Sequence, residues 1–417
     1  MHFLEVRMTI VEKFKQYPLV LWALALYLCS LGFNLKYDIP LVVLVVATTW
    51  TISCSHRDFQ LSEIFFQYWH VIVFLILTFL ITLVSEKVSY SFLAQVQFIP
   101  GLLVYCAIVT AVDDRQSFRS VYFVVIMAGL ITGVVFLCQV VLIENADMMS
   151  RVKSTQNPLF IVPNDVLLLT IISPLALGFL ASEQRGLLGL LAVCCVVCAC
   201  LATIYVQSRQ AAGIFAFSMF GFFFLWRPLW GVVVGVLVLF VVLAIDLLMG
   251  GGLVHKIHLF PRTYIWHAAW EMFLDSPTMG QGPGLFKQYY YEYLERAGYS
   301  LDAVEDRRLM NWAHSLYLEQ LAERGLLGFF ALFVLVGRPL AGLVRRSSWH
   351  WVSNHEQKKV VRSFIVGNGG YLAGLIVAYV AFLLGGIAEA SLLRLWVVMT
   401  LFIITGLADA LLFSSKK

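Results

Sequence analysis

The sequence predicts an all-α, polytopic membrane protein, and three observations predict it. The 417 residues are 60% hydrophobic and only 13% charged, against about 25% charge in an ordinary soluble domain. Mean hydropathy is +0.84. The apolar residues also gather in repeated runs near the ~20 residues that a helix needs to cross a hydrocarbon core. A soluble core of this size could not hide so much apolar surface, whereas lipid can. The formal net charge of +4 is small and spread over many connections. That distribution argues against nucleic-acid binding, which needs a clustered basic face.

The runs place helices near 17–33, 39–54, 64–84, 97–112, 120–143, 164–182, 187–206, 211–226, 229–249, 325–341, 364–384 and 395–413, about twelve spans in all. Those at 39–54, 97–112 and 211–226 are short. Residues 1–16 hold Arg7, Lys13 and Lys15 before the first run, with no small-residue cleavage site of a signal peptide. They read as a short amphipathic segment on the membrane surface.

Basic residues set the orientation, because cytoplasmic connections carry an excess of Lys and Arg. With the N-terminus inside, sixteen lie on the cytoplasmic side, and six lie opposite outside the one long loop. Both termini are therefore expected in the cytoplasm. Residues 17–249 form the first nine spans, 250–324 a large loop on the far side, 325–413 the last three spans, and 414–417 a cytoplasmic tail.

The cluster Cys194-Cys195-x-x-Cys198-x-Cys200 has the look of a metal site. It lies inside the run 187–206 with no His, Asp or Glu beside it. Cysteine packs well as a small apolar side chain, so these residues read as helix packing, and no disulfide framework is expected.

The long loop holds the richest chemistry. Pro261 and Pro277 bracket a helical pattern, RTYIWHAAWEMFLDSP, with Ile265, Ala268, Ala269, Met272 and Phe273 on one side. Gly280-Gln-Gly-Pro-Gly284 is a turn cluster. It lacks a preceding strand and an ATP pool, so a nucleotide loop is not the reading. A tyrosine-rich stretch follows, whose Tyr289, Tyr290, Tyr291 and Tyr293 suit an interfacial aromatic belt better than a sugar-stacking platform. A second helical pattern, from about Asn311, leads through His314 into the next span.

Three ionisable residues stand where the membrane's outer boundary should be, and such positions are costly unless they carry function. Arg209 lies in Gln207-Ser-Arg-Gln210, the whole connection between two runs. It either snorkels to headgroups or offers bidentate contacts to phosphate. Arg262 follows Pro261 at the opening of a helix, where free N–H groups and the helix dipole also favour an anion. An arginine that merely flanks the membrane is the alternative. Asn311 as N-cap would put His314 in a first helical turn. A helix N-terminus disfavours imidazolium, and a neutral ring suits a general base; a purely structural histidine is the alternative.

The stretch RTYIWHAAWEMFLDSPTMGQGPGLF, with AHSLYLEQLAERGLLGFF after it, resembles the signature of the bacterial O-antigen ligase and polymerase superfamily. The elements are Arg262, Pro277, Gly280, Gly282, Gly284, Phe286, His314, Glu323, Gly325 and Gly328. The resemblance implies a GT-C-like membrane glycosyltransferase of the inner membrane, with its active site in a periplasmic loop. It implies a glycan donor on undecaprenyl diphosphate and a sugar hydroxyl of lipid A–core as acceptor, among membrane lipids, with no nucleotide and no cofactor. His314 then corresponds to the base, Arg262 and Arg209 to the diphosphate-binding arginines, and Glu389 to an acidic residue of the last outer loop.

Glycosyl transfer from a lipid diphosphate needs the leaving group's charge stabilised, which arginine can do without a metal. No D-x-D cluster stands in an outer loop; Asp113 and Asp114 lie on the cytoplasmic side, as a solvated helix end. Within the superfamily an O-antigen polymerase or a protein O-oligosaccharyltransferase would share this plan. From another class, a twelve-helix transporter would place polar residues at the midplane, and Asp246 is the nearest candidate. Metal-independent transfer is the expectation. Turnover should survive EDTA, and a loss that Mg²⁺ or Mn²⁺ restores would overturn it.

Overall fold

A computed structural model of the protein describes residues 19–32, 38–54, 61–112, 114–142, 166–183, 186–206, 209–248, 262–300, 309–352, 358–387 and 390–413. The expected surface segment 1–16, the tail 414–417, Asp113 and Glu389 lie outside the described residues. The helices are α1 (Leu19–Gly32), α2 (Asp38–Cys54), α3 (Leu61–Val84), α4 (Val88–Val96), α5 (Phe98–Ala111), α6 (Arg115–Leu142), α7 (Val166–Glu183) and α8 (Leu187–Val206). They continue as α9 (Arg209–Trp226), α10 (Pro228–Leu248), α11 (Thr263–Asp275), α12 (Phe286–Arg296), α13 (Leu316–Val352), α14 (Lys358–Gly385) and α15 (Leu395–Phe413). No strand occurs among the described residues.

Each expected apolar run falls on a helix, and among the described residues six helical stretches are long and apolar enough to cross a membrane. The protein is a multi-pass membrane protein. Large apolar side chains face outward in a way that water would penalise and lipid would not: Phe66 is 83% exposed, Leu229 79% and Phe333 69%. One element was not expected. α4 lies directly before the short run at 97–112, and Gln97 both closes α4 and opens α5. Together the two make one candidate span, Val88–Ala111.

Helix α15 is the centre of the bundle, with 83% of its span buried. Small residues let its neighbours and the other helices approach closely, as in membrane interfaces generally. A Cβ on Gly101 of α5 would lie 2.6 Å from the Phe402 ring of α15. Between α7 and α14 the backbones themselves meet, since a Cβ on Gly178 would stand 2.6 Å from the Gly370 carbonyl oxygen. The cysteines of α8 serve the same packing: Cys195 is buried, and Cys198 Cβ leaves only 2.9 Å for a Cβ on Gly133 of α6.

An ionic knot ties four helices inside the bundle. Asp409 of α15 is fully buried. It accepts hydrogen bonds from Tyr105 Oη of α5 at 2.7 Å and Arg338 of α13 at 2.7 Å, and His70 Nε2 of α3 lies 3.0 Å away. All four lie well inside their helices. Asp246 is the expected charge within a span; Asp409 and its partners are a further group that the expectation does not include.

At one end of the bundle, called the loop side below, α11, α12 and the start of α13 share a separate small core. Ile265, Ala268, Met272, Tyr290, Leu294 and Ala313 belong to it. The tyrosines therefore do not form a belt. Tyr290 and Tyr293 are buried, and the Tyr293 hydroxyl donates to Asp275 Oδ2 at 2.6 Å, which holds that carboxyl below the usual carboxylate range. The Tyr289 hydroxyl donates to Glu86, and Lys87 donates to Gln288 at 2.6 Å. The loop unit is thus fastened to the link between α3 and α4. On the opposite side, Asp114 caps α6: Ser117 N donates to its Oδ1 at 2.8 Å, and this bond lowers its pKa.

Removing one partner of a buried ion pair strands the other charge and costs about 3–5 kcal/mol, whereas an apolar replacement of both is often neutral. Arg338→Met should lower the unfolding midpoint in detergent clearly, and Arg338→Met with Asp409→Leu should recover only part of it, because Tyr105 then loses its acceptor. Equal losses in the single and double variants would refute the pairing.

Candidate functional site

The site is organised by a break in α13. At Gly325 the backbone turns to φ 60, ψ −163 inside an otherwise continuous helix, a conformation that a side chain would strain. The turn after α11 docks into this break. Leu326 N donates to the Pro277 carbonyl at 2.8 Å and Leu327 N to Thr278 at 3.1 Å. In return, Gln281 N donates to the Ala322 carbonyl at 3.1 Å and Gly282 N to Glu323 at 2.9 Å. The glycine-rich turn and the Glu-x-Gly-x-x-Gly segment are therefore two halves of one joint. Glycines are needed there because backbones touch: a Cβ on Gly325 would lie 2.4 Å from the Thr278 carbonyl carbon.

Two carboxylates one turn apart on α13 tie this joint to its neighbours. Glu323 accepts from Gly284 N at 2.8 Å and Phe286 N at 3.2 Å, in the glycine turn. Glu319 accepts from Ser391 Oγ at 2.8 Å and Leu392 N at 3.2 Å, in the link between α14 and α15. Both are fully buried, as are Gln320 and Arg324. The Arg324 guanidinium lies 3.5 Å from Glu323 Oε2 and over the Phe98 ring at 5.5 Å, so it offsets the buried negative charge. Glu323 is expected from the sequence only as a motif residue, and Glu319, Gln320 and Arg324 are not expected at all. The visible signal was the spacing of Glu319 and Glu323 on an otherwise apolar helix face.

His314 is placed differently from the expectation. The helix begins at Leu316, not near Asn311, and His314 precedes it in a left-handed conformation with φ 50. The physical reason is long-range: Leu316 N donates to the Gly386 carbonyl at 2.7 Å, so this end of the helix is capped by the α14–α15 link rather than by Asn311. Left-handed backbone at a non-glycine residue costs on the order of 1–2 kcal/mol and persists where the surroundings over-determine it. The ring is half-buried and lies 5.7 Å from the Trp312 ring.

Arg262 is the N-cap residue of α11, one position before the helix proper, and is half-buried. Arg209 is the first residue of α9, and its neighbour Gln210 donates through Nε2 to the Gly385 carbonyl at 2.9 Å. The consecutive carbonyls of Gly385 and Gly386 thus hold the Arg209 turn and the His314 segment to one point. The structure brings together the segments that carry His314 and Arg209, and packs the helix that Arg262 opens against α13 in the loop core. Glu389 belongs to the same α14–α15 link but lies outside the described residues. Trp312 stands beside His314, and the Arg394 guanidinium lies over the Trp312 ring at 5.5 Å; neither is legible in the sequence as a site residue.

A multi-pass helical membrane protein with a polar site gathered at one end is the class that fold and geometry define. Residues 166–333 match the family model described as O-antigen ligase. That match supports a likeness, over this stretch, to the O-antigen ligase and polymerase group. The match contains Arg209, Arg262 and His314. No curated protein matches the chain significantly.

Gly325→Ala should undock the turn, because both the φ of +60 and the carbonyl at 2.4 Å oppose a Cβ. Gly298→Ala, at φ +84 with nothing within 4 Å, should cost only backbone strain of about 1–2 kcal/mol. Limited proteolysis should cut the first variant faster within 277–286 and leave the second near wild type. Equal cleavage of both would contradict the joint.

Proposed function

We propose that this protein is an O-antigen ligase. It moves a glycan from undecaprenyl diphosphate to a sugar hydroxyl of lipid A–core, by a metal-independent, inverting displacement in lipopolysaccharide biosynthesis. The protein resides in the bacterial inner membrane with twelve spans and both termini cytoplasmic. Its loop side, residues 250–324, faces the periplasm. The observation that carries the reading is the pair of carbonyls at Gly385 and Gly386. They fasten Gln210, beside Arg209, and Leu316, just after His314, to one point.

In this reading the acceptor hydroxyl attacks the anomeric carbon while the bond to the diphosphate breaks. The hydroxyl proton goes to His314, and the electron pair leaves with the diphosphate. Arg262, at a helix N-terminus, and Arg209 stabilise the developing charge. The left-handed backbone at His314 fixes the base before substrate arrives, which removes part of the orientational cost of the step. Glu389 is assigned to the same site as its acidic member.

A second feature supports a lipid-linked donor. Two faces of α4 do different things. Ser91 and Ala94 lie under the glycine turn, while Phe92, Gln95 and Val96 line an apolar cavity of about 380 Å³ shared with α3 and α5. In this reading that cavity, on the other face of the helix that underlies the glycine turn, seats the donor's isoprenoid chain.

Purified protein in detergent, given lipid-linked glycan and lipid A–core, should yield a core–glycan ladder on a gel. His314→Ala and Arg262→Ala should each abolish it, with losses of at least about 10²-fold expected for removal of a base or a charge-stabilising donor. Longer lipid-linked glycans without core would identify the polymerase, glycosylated protein the protein transferase, and no product with any acceptor a transporter.

A further inference from the structure

Beside His314 stands a cluster with no part in the reaction described above. Arg394, the residue before α15, lies over the Trp312 ring at 5.5 Å and over the Trp396 ring at 5.0 Å. Trp312 in turn meets the His314 ring at 5.7 Å. The indole N–H groups of Trp312 and Trp396 are both buried, and neither finds a hydrogen-bond acceptor among the described residues. A buried donor without an acceptor is costly, and two of them on rings that one guanidinium overlies call for oxygen acceptors. Two aromatic faces also hold the guanidinium in place, which raises its value as a fixed cation.

We propose that Trp312, Arg394 and Trp396 form the acceptor subsite and bind a phosphate-bearing sugar of the acceptor lipid. The assignment to the acceptor rests on the ligase reading and on the geometry of displacement. A general base must sit within hydrogen-bond reach of the attacking hydroxyl, so the acceptor lies on the His314 side of the reacting carbon. In an inverting transfer the diphosphate leaves from the opposite face. Groups one indole ring away from the base therefore meet the sugar residues around the attacking hydroxyl. Two N–H donors and a guanidinium match phosphate oxygens, since charge-assisted bonds of this type are the strong ones. Trp312 has a further consequence as the ring between Arg394 and His314: it sets the spacing between the anchored phosphate and the hydroxyl that is activated. The subsite thus selects which hydroxyl of the acceptor is used.

The test is direct binding to full-length protein in nanodiscs, with three probes: phosphorylated lipid A–core, the same lipid after phosphatase treatment, and the lipid-linked glycan donor. Wild-type protein should bind the phosphorylated acceptor more tightly than the dephosphorylated one. Arg394→Gln and Trp312→Phe should each weaken binding of the phosphorylated acceptor about tenfold, the scale of one lost charge-assisted bond. They should leave donor affinity unchanged, and Arg394→Lys should recover part of the loss. In turnover the same variants should raise KM for the acceptor more than they lower kcat. Loss of donor binding instead would assign the cluster to the diphosphate, and unchanged affinities for every probe would make it packing alone; either result overturns the proposal. Thermal unfolding of each variant separates lost binding from lost folding. Should wild-type protein bind both lipids as stated and yet form no core–glycan product, the ligase reading fails while the subsite stands.

Discussion

Glu319 and Glu323 stand one turn apart on α13, and each is held by a different segment: Glu323 accepts from two backbone N–H groups of the glycine turn, and Glu319 from the Ser391 hydroxyl and Leu392 N of the α14–α15 link. Carboxyl groups carried this far from water need hydrogen-bond partners, because burying a polar group without one is costly. The glycine turn and the α14–α15 link provide N–H groups, and Arg324 provides the countercharge. The constraint works in both directions. The carboxylates are tolerable only while both segments are docked, and the segments are docked because the carboxylates hold them. Every other feature of the loop side depends on this mutual requirement, including the left-handed His314 and the carbonyl pair at Gly385 and Gly386.

The break at Gly325 gives that arrangement its rigidity. A continuous helix would present carbonyls already bonded to their own i+4 amides. Opening the helix at one residue frees donors at Leu326 and Leu327 and acceptors at Ala322 and Glu323, and the turn after α11 uses all four. The result is a joint made of backbone, in which side chains are excluded by contact distances of 2.3 to 2.6 Å at Gly280 and Gly325. Functional groups mounted around it inherit its precision without contributing to it.

The membrane-embedded helices were legible in the sequence because hydropathy alone dictates them: each run of apolar residues lies on a helix. α4 was not, because nine residues with two serines and a glutamine carry no span-length signal. The start of α13 was misplaced, since Asn311 satisfies the local rule for an N-cap while the bond that decides the boundary comes from Gly386. The tyrosines of α12 were assigned to the membrane surface because nothing in their composition reveals that Tyr290 and Tyr293 face a core. The buried charges escaped for a common reason. Asp409 is a single charge in the apolar run of α15, and Glu319, Arg324 and Arg338 lie on a helix that carries basic residues near its end; only tertiary packing shows what each of them meets. His314, Arg262 and Arg209 were visible because each interrupts an apolar context or opens a helix.

The carbonyls of Gly385 and Gly386, with Ser391 and Leu392, lie beyond residue 333, where the family match ends. The recognisable region is therefore not a detachable module. Cut out on its own, it would carry His314 on a helix start with no cap, and Glu319 with neither of its donors. Chimeras that exchange only the matched stretch between relatives would graft the signature and leave behind half of what shapes it. Evolution of this site must then proceed by concerted change in two parts of the chain, one easily recognised and the other almost silent.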